Sequence, residues 1–119
     1  MRKLVIKCTA GVEDLERANQ SFTVAAAGLA AGAEVSLWLT GEAAWFAVPN
    51  RAEEAALDLA TPLAELRDLV LAGGSLTVCT QCAARRGIQE SDLIPGVRIA
   101  GAAAFVEQAL TDDAQALIY

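Results

Sequence analysis

Leu76-Thr77-Val78-Cys79-Thr80-Gln81-Cys82-Ala83-Ala84-Arg85-Arg86-Gly87 joins two kinds of segment in twelve residues. Leu76 to Cys79 is a short apolar run following Gly73-Gly74, which reads as a buried strand. Ala83 to Arg86 can wind a short helix, and Gly87 stops it. One cysteine therefore closes a strand, and a second lies one turn beyond it.

Working outward, the same alternation recurs. Leu4-Val5-Ile6, flanked by lysines and closed by Cys8-Thr9-Ala10-Gly11, reads as a first strand. Glu13, Asp14 and Glu16 supply the negative charge that favours a helix N-terminus. Leu15, Phe22, Ala26 and Leu29 follow at helical spacing, and Gly32 stands where a C-capping glycine belongs. Glu34 to Thr40 is the second strand. Glu42 to Phe46 suits a short helix inside a longer irregular stretch, 41–60. Thr61-Pro62 predicts a helix start with Thr61 as cap and Pro62 at the first helical position. Leu63, Leu66 and Val70 share a face of that helix. Val97 to Ile99, Ala102 to Leu110 and Gln115 to Tyr119 complete the order as strand, helix and strand. Strands alternating with helices across short links imply a mostly parallel five-stranded sheet covered on both faces, an α/β fold in one domain over 1–119.

Composition narrows the function. The chain has 119 residues, enough to hold a core without disulfides or a structural metal, and at 55% hydrophobic it is not disordered. A net charge of −6 and few aromatic residues argue against nucleic acid as a partner. The alanine-rich stretch from Val24 to Ala33 is too short to span a bilayer and is broken by Gly28 and Gly32, so no membrane role is expected. The start carries no apolar stretch of signal-peptide length, and the expected location is cytoplasmic. There, three cysteines are expected as reduced thiols. The absence of histidine removes Ser-His and Cys-His pairs within the chain, together with the commonest metal ligand.

The cysteines carry the candidate chemistry. Ligand sites in open α/β sheets collect at the carboxyl ends of strands. Cys79 closes the third strand and Cys8 the first, so both are expected on one rim, with Cys82 a turn further on. A thiolate is favoured by helix-start amides and by cations, which makes Arg85 and Arg86 candidate electrostatic support for Cys79. Zinc needs about four ligands, and Cys8, Cys79 and Cys82 supply at most three; no metal and no cofactor are expected. A C-x-x-C sequence is also compatible with a redox pair or with two ordinary core thiols. Trp38, Trp45 and Phe46 suit the core or a subunit contact better than a pocket.

The segment from Leu76 to Ile88 resembles the cysteine segment of the DsrE/DsrF-like family, which has YchN-like and TusD-like members. The alanine-rich first helix ending at Ala30-Ala31-Gly32 and the tail from Gly96 to Tyr119 extend the resemblance over nearly the whole chain. The resemblance implies a three-layer α/β/α fold, assembly as a homo-oligomer (trimer or hexamer) or hetero-oligomer, and, for some members, sulfur relay on a cysteine persulfide. Spacing back from Arg86-Gly87 aligns the family's cysteine with Cys79, and Cys82 with a second cysteine of YchN-like members. The function so implied is a small sulfur carrier or sulfurtransferase passing sulfur as a Cys79 persulfide. Its partners would be sulfur donor and acceptor proteins or small persulfides. The alternatives are a thiol-disulfide protein using Cys79 and Cys82, and a non-catalytic oligomeric binding protein of the same fold. Two strand orders are open. In 2-1-3-4-5, Cys8 could approach Cys79; in 4-3-2-1-5, a strand lies between them at roughly 10 Å.

Overall fold

The structure is a computed structural model and describes residues 2–119. Five strands, β1 (Lys3–Cys8), β2 (Glu34–Leu39), β3 (Ser75–Cys79), β4 (Arg98–Ala100) and β5 (Ala114–Ile118), form one sheet in the order β4-β3-β2-β1-β5. Every pairing is parallel. The second of the two open orders is therefore the one adopted. Helices α1 (Leu15–Ala30) and α2 (Leu63–Gly73) make the crossovers from β1 to β2 and from β2 to β3. A short helix, α3 (Thr80–Arg85), follows β3 directly, and α4 (Ala102–Ala109) joins β4 to β5.

The layers follow from handedness. Crossovers between parallel strands are right-handed. The chain steps in one direction from β1 to β4, which puts α1 and α2 on one face. It then returns past β1 to β5, so α4 must cross on the other face. The two faces differ greatly in cover. Against α1 and α2 lies the main core, including Ile6, Phe22, Leu37, Leu39, Phe46, Val70, Leu76 and Val78. Phe22 meets Phe46 edge-to-face at 6.0 Å between ring centroids. On the α4 face the buried apolar cluster among the described residues is small, Val5, Trp38 and Phe105, with Trp38 and Phe105 edge-to-face at 5.5 Å. Gln108 of α4 satisfies this thinner layer, because its Oε1 accepts from both Ser36 Oγ at 2.7 Å and Trp38 Nε1 at 3.0 Å. A side-chain carbonyl has two acceptor directions, so both buried donors are met by one residue.

Local signals end the helices where expected. Gly32 takes φ +84° after α1, with Ala33 N–H bonded to Gly28 C=O and Gly32 N–H to Leu29 C=O. Gly87 does the same after α3 with φ +65°, and Ile88 N–H returns to Ala83 C=O. Both are left-handed closures that an L side chain disfavours. The start of α2 differs from expectation by one residue. Pro62 is the cap residue and makes no side-chain bond, and Thr61 uses its carbonyl to accept from Asn19 Nδ2 at 3.0 Å. Thr61 is thus a tie to α1 and not a cap. The segment expected as a short helix near Glu42 is a 3-10 helix, Gly41–Ala47. Among the described residues no helix is long and apolar enough to cross a membrane.

Candidate functional site

The carboxyl rim of the sheet gathers three segments: Thr9–Gly11 after β1, the 3-10 helix after β2, and α3 after β3. Cys79 is the last residue of β3 and the N-cap of α3, with extended dihedrals of −65° and 128°. Such a residue turns its side chain towards the first free amides of the helix. Its neutral thiol makes no formed capping bond. Partial burial raises its pKa, but the Cys82 amide, the Cys82 side chain, the Gln81 amide and the Lys7 charge outweigh that effect. The net result lies below the ordinary thiol value. Cys79 is half-buried, the least enclosed of the three cysteines.

Lys7 is the residue that sequence reasoning missed. It pairs in register with Trp38 of β2, and Trp38 with Thr77 of β3. Alternation along parallel strands then sets Lys7, Trp38 and Thr77 towards the α4 face, while Cys79, at the strand end, packs against the edge of the main core. The Lys7 ammonium sits over the Phe105 ring, 4.2 Å from its centroid, a cation–π contact that holds a flexible chain near the rim. In the sequence Lys7 reads only as a charge flanking a strand; its partner lies two strands away.

The expected support from Arg85 and Arg86 is corrected. Arg86 donates from Nε to Glu42 Oε2 at 2.6 Å and from Nη1 to the Cys82 carbonyl at 3.1 Å. It clamps α3 to the segment after β2, and neither arginine is among the causes that lower the Cys79 pKa. Arg85 is exposed in the last turn of α3. At 1.5 Å per residue the helix carries both arginines roughly 9 Å along its axis from Cys79.

Cys8 is corrected too. It is fully buried in the main core, on the α1 face, and its Sγ donates to the Ala10 carbonyl at 3.3 Å. Burial pushes its thiol above the ordinary value, against the lowering effects of Ser21 and the Ala10 backbone, and Glu13 adds to the rise. Leu39 stands between Cys8 and Val78 across the sheet, and Cys79 is one residue further along β3. The odd step of one residue sets Cys79 and Cys8 out of phase across the sheet, and Cys79 touches only the edge of the core in which Cys8 is enclosed. The three cysteines do not converge.

Cys82 is buried, and its Sγ accepts a hydrogen bond from Gly41 N–H at 3.2 Å. Gly41 has φ +55°, and a Cβ there would meet the Thr9 carbonyl oxygen at 3.0 Å. Glycine therefore lets this turn lie between Thr9 and Cys82. Of the aromatic residues, Trp38 and Phe46 belong to the core, as expected. Trp45 carries the Arg51 guanidinium at 4.1 Å and lines a cavity of about 230 Å³ with Val12, Glu42, Phe46, Arg51 and Glu54.

No curated protein matches this chain. Among solved structures, the YchN protein from E. coli is similar over 100% of both chains, with a TM-score of 0.83 at 20% identity. A protein of unknown function from Methanobacterium thermoautotrophicum is similar over 100% of both chains, with a TM-score of 0.76 at 11% identity. At such identities the likeness establishes the fold. A sequence model of the DsrE/DsrF-like family matches residues 2–116, and the chain belongs to that family.

Proposed function

We propose that the protein is a sulfur carrier or sulfurtransferase that holds sulfur as a persulfide on Cys79. The observation that carries this reading is a half-buried cysteine at the carboxyl end of a central strand and the start of a helix, its thiol pKa lowered by the neighbouring amides and charge. Family membership supports it. The Cys79 thiolate attacks the outer sulfur of a donor R–S–SH, the donor S–S bond breaks, and the donor leaves as a thiolate. An acceptor thiolate then takes the outer sulfur from Cys79 and returns the Cys79 thiolate. No histidine base is required, because the nucleophile is already favoured in its charged form. Lys7 and the α3 amides stabilise the anionic sulfur, in the manner of an oxyanion site.

The test is intact-mass analysis after treatment with a low-molecular-weight persulfide. The expected gain is the mass of one sulfur atom on wild type, absent from Cys79→Ser. No gain on either at the earliest times, together with no sulfide released by wild type, overturns the reading. A second reading, a thiol-disulfide pair of Cys79 and Cys82, is favoured by the Cys82 side chain standing against the Cys79 sulfur. Thiol trapping across graded redox buffers separates it, since it predicts a reversible intramolecular disulfide with no sulfur donor present.

Reduced thiols fit a cytoplasmic location. Exposed Val106 and Leu110 at α4 and Ile118 on the edge strand β5 support a homo-oligomer, in which a second copy covers the thinly protected sheet face. Light scattering giving only monomer mass would exclude it.

A further inference from the structure

The two thiols of the Cys79–Cys82 turn differ in access and in freedom. Cys79 is open to solvent in part, whereas Cys82 is only 8% exposed. Cys82 is the third residue of α3, with Cys79 as the N-cap. N-cap and N3 side chains stand together at a helix start, as in a capping box. Gly41 N–H fixes the Cys82 sulfur from the opposite side at 3.2 Å. Arg86 anchors this arrangement by bonding both Glu42, next to Gly41, and the Cys82 carbonyl. A donor therefore meets Cys79, the less buried of the two thiols, more readily than Cys82.

We propose that Cys82 discharges the Cys79 persulfide when no acceptor takes the sulfur, so that the protein releases sulfide. The inference rests on the persulfide reading above. The Cys82 sulfur attacks Sγ of Cys79, a Cys79–Cys82 disulfide bond forms, and the bond from Cys79 Sγ to the outer sulfur breaks. The outer sulfur leaves with that electron pair as hydrosulfide, and the proton of Cys82 goes to solvent or to the departing sulfide. The outer sulfur is reduced by one oxidation level and the Cys82 sulfur is oxidised by one, while Cys79 Sγ keeps its level, so no further oxidant is needed. A dithiol reductant then reopens the disulfide by ordinary exchange. The reaction is intramolecular across one helical turn, which gives Cys82 a high effective concentration over any thiol in solution.

The experiment loads wild type, Cys82→Ser and Cys82→Ala with inorganic polysulfide, removes excess donor under anaerobic conditions, and follows intact mass and free sulfide. The expected result is that both variants keep the added sulfur at least about tenfold longer than wild type. Wild type should release stoichiometric sulfide and end lighter than the reduced protein by two hydrogens, with a Cys79–Cys82 disulfide in its peptide map. Unloaded wild type should stay reduced. The wild-type measurement stands even if a variant fails to fold. Equal lifetimes in wild type and a folded variant, or sulfur mapped to Cys82 in wild type, overturn the inference and leave the persulfide reading intact. No sulfur uptake by wild type or by a folded variant overturns both.

Discussion

Two strands end in cysteine at the same rim, and the two ends have opposite chemistry. After Cys8 the chain folds Thr9, Ala10 and Gly11 back over the strand end, and Ala10 is itself buried. Gly11 packs so closely on Glu42 that a Cβ would lie 2.7 Å from that side chain. The Cys8 thiol is sealed in the main core and its charged form is penalised. After Cys79 a helix begins at once, and the thiol sits half-buried at the edge of the main core, within reach of the Lys7 charge. Being last in a strand gives a residue a place on the rim. The face it points to, and the segment that follows, decide whether it can react.

The largest expected effect would test that contrast outright. Cys79→Ser should abolish persulfide formation, while Cys8→Ala should retain it; loss of uptake in a folded Cys8→Ala would break the comparison. Alkylation of native protein near neutral pH, read by peptide mass, should modify Cys79 roughly a hundredfold faster than Cys8, because Cys8 reacts only after local opening. Comparable rates would mean that the Cys8 strand end is not closed.

Lys7→Met offers a finer probe. Cys79 titrates below the ordinary thiol value of 9.0, and removing the cation should move the midpoint of its pH–alkylation profile upward. Alkylation at neutral pH should slow by about two- to fivefold. Lys7→Arg should restore most of the rate. An unchanged midpoint in Lys7→Met would remove Lys7 from the site.

Cys8 gives the opposite sign in stability. Its folded value is raised, so its contribution is fully present below the unfolded thiol value and is lost as pH rises through the folded one. Denaturant midpoints should therefore fall above about pH 9. Cys8→Ala should flatten that fall at a fixed cost of about 1 kcal/mol for the small cavity.

The smallest effect is a control far from both thiols. The buried Arg67 side chain forms a two-bond pair with Glu53, each bond 3.0 Å, and Asp68 adds a third contact at 3.1 Å. Hydrogen bonding from Arg67 holds Glu53 below its ordinary value. The pair's contribution is therefore present above the unfolded glutamate value and lost as pH falls through the folded one. Glu53→Gln should cost about 1 kcal/mol near neutral pH, since Asp68 remains. A shift in either thiol's reactivity would show that the comparison is not local to the rim.

Much of this was legible in the residues. Gly32 and Gly87 mark helix ends because a left-handed turn needs a glycine, and that requirement is local. The run from Leu76 to Cys79 followed at once by helix-forming residues places a thiol at a strand-to-helix junction, which is also local. Thr61 was misread because a cap and a carbonyl tie to Asn19 look alike in sequence. Arg85 and Arg86 were misread because nearness along a chain is not nearness along a helix axis.

The sequence by itself determined the alternation of strands and helices, the α/β architecture, and Cys79 as the junction thiol. Each depends on periodicity or turn chemistry within a few residues. Only the tertiary structure decided the order β4-β3-β2-β1-β5, the burial of Cys8, the approach of Lys7 and the bond from Gly41 to Cys82. Those depend on register and on which face each crossover takes. One residue of offset separates Cys8, enclosed in the main core, from Cys79 at its edge, and no local pattern encodes that offset.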